Sequence, residues 1–415
     1  MRLLKLELKR VFMTRSTLIL LFAALLLSFL MAWLPTTFSS NSYTDTHGNT
    51  VKLTGLASIE YEKKLQAGIA GTVTPRKVRQ AVEQYQACLK KYGVENSYDL
   101  PEGVYQAEIL PYAPLLHGVK EAFADPDTGI APSVMEINPQ DIERYYDVLE
   151  NRIISLMKME QKNNPEAQQK AVSMFDKVTK PYQLYPGYST DAMDYQIILA
   201  FLITLFATVI AAPVFTSDYQ TGADDILRCT KYGKAKFAIT KIISALLICG
   251  ITYSLCMVIY ITVSNSLFGW ECTKNSMQML YSIVNLPDMN LLKLQCFVAL
   301  SGLLSILAAV SLTLFLSSKF KNIIVSLSTS LLFCILPLIL YLVLPAGIGE
   351  WIYSILPAGG VGLQTSILYA VIDFVYLHLG KMTLWLPYAM LGAYAVELPL
   401  FVSLTVYSYS VRKAN

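Results

Sequence analysis

Charge is scarce in this sequence. Asp, Glu, Lys and Arg make up 15% of its 415 residues and apolar types 54%, a balance that excludes an ordinary soluble protein, where about a quarter of residues are charged. Histidine is scarcer still. His47, His117 and His378 are the only three, too dispersed for a histidine-ligated metal site. The seven cysteines include no CxxC and no metal-like spacing. Cys249, Cys256, Cys296 and Cys334 stand in apolar runs and read as small core residues. Only Cys88 and Cys272 would face the outside, and they are expected to stay unpaired. No GxxxxGK(S/T) loop occurs, so the chain does not cradle ATP in that way. HExxH, GxSxG and a Ser/His/Asp order are also missing, whereas a hydrolase needs a nucleophile and a base within reach of each other. His378, five residues after Asp373, reads as an interfacial histidine. The chain is expected not to be an enzyme and to hold no metal or cofactor itself.

What is present is apolar runs, with charge confined between them. Residues 35–194 carry 16 Lys+Arg against 21 Asp+Glu, a net of −5, and the remainder carries 17 against 9, a net of +8. The first stretch is therefore a polar domain, and the rest is membrane with basic edges. A helix needs roughly 20 apolar residues to cross the hydrocarbon core. Runs of that kind lie at about 16–34, 195–215, 237–267, 294–316, 322–344 and 385–410, predicting an all-α polytopic protein of six spans. The first run ends at Trp33-Leu34-Pro35 without a small-residue cleavage pattern, so it reads as an uncleaved span. Ahead of it, Leu4, Leu8, Val11 and Phe12 fall at helical spacing among Lys5, Lys9 and Arg10. That predicts an amphipathic helix over residues 1–15 lying on an anionic leaflet. Lys and Arg divide 14 to 3 between the two sets of short loops and ends, which places both termini in the cytoplasm of a cell membrane. Residues 35–194 are then an extracytoplasmic domain.

Within that domain, Thr74-Pro75, Asn138-Pro139 and Asn164-Pro165 each predict a helix start. Gly93 predicts the end of the first of these helices, and a small sheet is expected near 50–53. Residues 100–132 are rich in Pro, Gly and Asp and read as irregular. The tyrosines at helical spacing read as core. Residues 352–372 are uncharged and long enough to span, but Pro357, Gly359 and Gly360 would break a lipid-exposed helix. They are read as two half-helices dipping into the outer leaflet. Glu397 is the lone charge in the last span, two residues before Pro399. It either lines a conduit or is held by a neighbouring hydroxyl.

The stretch 216–236 carries the most information. Gly222 ends the second span, and Asp224-Asp225 opens a short helix through Ile226, Leu227 and Arg228. Tyr232-Gly233 turns the chain toward Lys234, Lys236 and Lys241. An acidic start, two aliphatics and a basic exit suit docking into a partner's groove. Alternatively, the helix only anchors the loop at the lipid surface. Asp218, Gly222, Leu227 and the Tyr232-Gly233-Lys234 turn with Lys241 resemble the pattern after the second span in permease subunits of type-2 ABC exporters. The N-terminal amphipathic helix, the six-span layout and the Leu356-Pro357-Ala358-Gly359-Gly360 break resemble the same family. Arg228-Cys229-Thr230 departs from it, standing where these permeases often carry a small-residue and proline stretch.

The resemblance implies a dimeric permease driven by a separate ATPase subunit that binds the ATP and Mg. The short helix would serve as the coupling element, and the cargo would be a peptide, lipid, drug or ion. Thr204, Thr208, Ser326, Ser328, Thr329 and Ser330 are expected at a dimer interface of the second and fifth spans. No nucleic-acid partner is expected. The alternatives are an ion-coupled secondary transporter, for which only Glu397 qualifies as a midplane acid, or a receptor whose outer domain binds a ligand.

Overall fold

The computed structural model describes residues 2–44, 49–101, 103–230, 233–345, 347–379 and 382–412. Among them, six helices are long and apolar enough to cross a membrane: Arg15–Phe38, Asp191–Thr221, Ala235–Phe268, Leu291–Lys319, Ile323–Val343 and Leu386–Val411. The chain is a mostly helical, polytopic membrane protein. Ahead of the first span lies the amphipathic helix Arg2–Phe12. It faces the bundle with Val11, which is buried, and Leu3 and Leu8 pack beside it.

The fourth span is the axis of the bundle. Its buried face is built from Ser301, Gly302, Ser305, Ala308, Ala309, Ser311 and Thr313, small residues that let neighbouring helices approach closely. At Gly302 an added Cβ would lie 2.1 Å from the Tyr253 hydroxyl of the third span. The first and fifth spans sit at the edge. Ala24, Ser28 and Ala32 turn one narrow stripe of the first span inward, while Phe22, Leu26 and Phe29 face away. On the fifth, Ile324, Leu332 and Leu342 do the same.

The second span runs on to Thr221, up to the stop read at Gly222, but it passes the end of its apolar run through a break that the sequence reading did not include. Pro213 has no N–H to continue the ladder, and helix Asp191–Ala211 gives way to Pro213–Thr221. Ser317 of the fourth span repairs the gap. Its hydroxyl donates to Ala212 O at 2.7 Å and accepts from Phe215 N–H at 3.0 Å. Ser326 of the fifth span adds a longer contact to the same carbonyl, 3.4 Å.

The domain between the first two spans has the expected helix starts at two of three places. Thr74 Oγ1 accepts from Lys77 N–H at 3.3 Å, and Gly93 closes that helix in the left-handed region at φ 66°. Asn164 Oδ1 accepts from Ala167 N–H at 3.1 Å. After Asn138, however, the chain first forms a turn and then a 3-10 stretch, Asp141–Arg144, so the α-helix runs Tyr145–Glu160. The stretch read as irregular is helical from Tyr105 to Ala122. There the buried Ile109, Leu115, Leu116 and Val119 override the local Pro and Gly signals. The small sheet is the antiparallel hairpin Ser40–Thr44 with Thr50–Thr54. Of the tyrosines at helical spacing, Tyr145 is a core residue, as expected, and Tyr146 is half-buried beside it. Cys88 and Cys272 are both free and buried. Cys296, read as a core residue, is exposed instead.

This domain shares one apolar core with the ends of the spans beneath it, joining Val82, Leu149 and Phe175 to Leu291, Ile367 and Tyr394. Polar contacts bolt it down on two sides. On the loop between the third and fourth spans, Tyr182 Oη donates to Ile283 O at 2.9 Å, Ile283 N–H donates to Glu121 at 3.1 Å, and Asn275 Nδ2 donates to Tyr185 O at 2.9 Å. On the segment before the last span, Gln161 Nε2 donates to Phe374 O at 2.9 Å and Thr383 Oγ1 donates to Glu166 at 3.0 Å. Lys63 pairs with Glu271 at 2.6 Å, holding that carboxyl below its usual range.

Asn275 is fully buried, and truncating it leaves the Tyr185 backbone polar groups unmatched. We expect Asn275→Ala to cost about 1–3 kcal/mol. It should lower the melting midpoint in detergent and raise hydrogen exchange at residues 182–185 and 275–291. Unchanged exchange there would show that the domain is not held at this point.

Candidate functional site

At the end of the bundle that carries both termini, two buried cations organise the residues singled out in 216–236. Asp218 lies on the last turns of the second span, 5% exposed. Its Oδ1 accepts from Arg10 Nη1 of the N-terminal helix at 2.9 Å, and its Oδ2 accepts from Lys241 Nζ of the third span. Lys241 was counted in the sequence among basic loop residues, but here it is completely buried. It also donates to Val214 O at 2.7 Å and lies against the Phe215 and Phe237 rings. Glu7 completes the cluster, 3.0 Å from Arg10. A buried charge of this kind is tolerated only when fully partnered, so three separate elements are obliged to meet at Asp218.

Gly222 follows in the left-handed region at φ 72°, a conformation that costs any residue with a Cβ. It turns the chain from Pro213–Thr221 into the six-residue helix Ala223–Arg228. Arg228, expected to form a solvated basic exit, is instead the anchor of this helix. Its Nε donates to Asp224 at 2.9 Å, its guanidinium donates to the carbonyls of Tyr409 and Arg412, and it stacks on the Tyr409 ring 4.6 Å from the centroid. Asp224 is therefore inward and paired, not an exposed acidic start. The helix ends at Arg228 with Cys229 as its cap, and at Gly233 beyond it a Cβ would fall 1.8 Å from Leu227 O. Leu227 is half-buried in the bundle core. Asp225 and Ile226 are left facing out, with Ile226 74% exposed. Tyr232 lies outside the described residues.

Other expected site residues fall elsewhere. Thr204 and Thr208 are completely buried within one chain. Their hydroxyls donate to Ala200 O and Thr204 O, and Thr208 also meets Cys334 of the fifth span at 3.2 Å. Thr208 holds the second span to the fifth span of the same copy and Thr204 bonds within its own helix, so neither buried hydroxyl faces out toward a second copy. Ser326 and Ser330 are buried likewise, and Ser328 alone of the fifth-span group is exposed. A small-residue face reads the same in sequence whether its partner is in the same chain or in another. Pro357, Gly359 and Gly360 do mark a break, between helices Ile348–Ser354 and Ile367–Ile372. The freed backbone there is covered: Ser305 Oγ donates to Pro357 O at 2.7 Å, and Tyr394 Oη donates to Ser354 O at 2.6 Å. Glu397 is half-buried, and its Oε2 finds no hydrogen-bond partner among the described residues. The neighbouring hydroxyl expected to hold that oxygen is not there.

Sequence reading missed the buried amides Gln196, Asn265 and Gln295, which tie the second, third and fourth spans together. Their only signal was a lone amide in each apolar run. It also missed the Pro213 break, whose signal was a proline interrupting a helical run. No group of three His, Cys, Asp or Glu residues able to hold a metal occurs among the described residues. No protein-family model, curated protein or solved structure matches this chain.

Removing one member of a buried ion pair leaves the other uncompensated. Lys241→Met is therefore expected to destabilise the protein by about 3–5 kcal/mol, and the double change Lys241→Met with Asp218→Leu should recover part of that loss. Unfolding midpoints of both variants and of Asp218→Leu alone, compared as a double-mutant cycle, give the coupling. Additive losses would mean that the pair is not a unit.

Proposed function

We propose that the chain is the transmembrane permease subunit of an ATP-driven exporter. Helix Ala223–Arg228 would be its coupling element, and ATP and Mg would be bound by a separate ATPase subunit. The observation that carries this reading is the division of labour in that helix. Arg228 and Asp224 are committed inward, while Asp225 and Ile226 are presented on a rigid, outward-facing turn. An isolated six-residue helix would not hold its shape in water, so the anchoring makes it a handle that a motor can push. The resemblance of Asp218, Gly222, Leu227 and the Gly233 turn to type-2 ABC exporters points the same way.

In this reading the handle is cytoplasmic, the helix Arg2–Phe12 lies along the inner leaflet, and the domain between the first two spans is outside. The broken segment is then re-entrant from the outer leaflet. ATP-driven closure of two ATPase subunits would displace Ala223–Arg228. Pro213–Thr221 would carry the displacement as a lever, bending at Pro213, while Asp218 drags the N-terminal helix and the third span with it. Two global states of the bundle, biased by the partner's nucleotide state, are what such a cycle requires. A second copy would complete the path. With Thr204 and Thr208 already used, the outward face of the fifth span around Ser328 and Leu332 is the surface left for it.

Because Ile226 is exposed, Ile226→Asp should leave the unfolding free energy within about 0.5 kcal/mol of the parent while uncoupling the partner's ATP hydrolysis from export. Full coupling in that variant would reject the docking role. Orientation has its own test, since Cys229 is exposed beside the handle. In a Cys296→Ser background, an impermeant maleimide should label Cys229 in inside-out vesicles and not in right-side-out ones. The reverse pattern would invert the topology and end this reading.

A further inference from the structure

The broken segment between the fifth and sixth spans encloses a cavity of about 420 Å³, within the size range of small-ligand sites. Two carboxylates, Glu350 and Asp373, line it, and no Lys or Arg does among the described residues. Burial raises the Asp373 carboxyl above its usual range, and the negative charges of Glu350 and then Glu160 push it further the same way. The pair therefore has no countercharge in the wall, and with Asp373 exposed and Glu350 half-exposed it is open to a cation from solvent. Three tyrosines stand in the remaining wall, among aliphatic and small polar side chains. Tyr341 and Tyr353 meet edge to face at 5.7 Å, and Tyr369 lines the cavity as well. A separate observation points to a missing occupant: Ser366, also in the wall and completely buried, has an Oγ with no hydrogen-bond partner among the described residues.

The type of cation follows from the donor set. Glu350 and Asp373 belong to no group of three acidic, histidine or cysteine residues able to hold a metal ion among the described residues. Tyrosine rings beside carboxylates suit a diffuse organic cation, whose alkyl groups are attracted to aromatic faces. We propose that this cavity binds an organic ammonium group, with its charge toward Glu350 and Asp373 and its apolar substituents against Tyr341, Tyr353 and Tyr369. The site goes beyond the export reading and does not require it, because binding is a property of the isolated chain. If an ATPase does drive the chain, the cavity names the cargo class and is wired to the motor end. Tyr369 Oη donates to Asp194 at 2.9 Å, and Asp194 begins the same span that ends at Asp218 and Gly222, about 36 Å away along the helix.

The test uses the purified full chain in non-ionic detergent with benzyltrimethylammonium as probe and neopentylbenzene as its uncharged isostere. Saturation-transfer NMR and the probe's shift of the melting midpoint both read binding. The ammonium should bind and the isostere should not. Asp373→Asn or Glu350→Gln should weaken the ammonium roughly tenfold or more. Asp373 is exposed and Glu350 half-exposed on a short helix, so both variants should fold and either one carries the test. Displacement of the probe by phosphatidylcholine would assign the ammonium to a lipid headgroup, and its absence would assign it to a soluble cation; either result upholds ammonium recognition. Equal binding of the isostere, wild-type affinity in both variants, or competition by sodium at the probe's own concentration would overturn the proposal.

Discussion

Asp218 is the constraint on which the end of the bundle carrying the short helix Ala223–Arg228 depends. A carboxylate 5% exposed and a lysine with no exposed surface are stable only together, because each alone would carry the full desolvation penalty. Satisfying the pair fixes the end of the second span against the third. The second oxygen of Asp218, taken by Arg10, fixes the N-terminal helix against both. Everything beyond, including the Gly222 joint and the short helix after it, hangs from that point.

Anchoring continues outward by the same logic. Arg228 spends its donors on Asp224 and on the last carbonyls of the sixth span, where helix ends leave acceptors unmatched. A cation at that position satisfies the sixth span's terminus and immobilises the short helix in one act. What remains exposed is a small apolar and acidic tip. That tip is connected through Pro213–Thr221 to a break already repaired by Ser317 and Ser326. Hydroxyls that bridge a proline break hold it without continuing the helix, so bending at Pro213 disturbs few bonds.

At the opposite end the domain between the first two spans is not a tethered appendage. Its core is continuous with the fourth and sixth spans and with the broken segment, and its polar contacts grip both connecting segments. Motion of the spans therefore has to be shared with the domain. The acidic cavity lies between the fifth span, the broken segment and the start of the sixth.

Six spans, the helix caps at Thr74 and Asn164, the Gly93 stop, the Pro357–Gly360 break and the short helix after Gly222 were legible from residues alone. These depend on apolar run length and on local backbone chemistry, and both are written in neighbouring positions. Tertiary structure decided which polar groups face inward. In the sequence Arg228 and Lys241 look like loop cations, Thr204 and Thr208 look like a surface for a second copy, and residues 100–132 look irregular. Each was settled by a partner distant in the chain: Tyr409, Asp218, Cys334 and the domain core. The cost of burying a charge or a hydroxyl depends on what it meets, and no local pattern records that meeting.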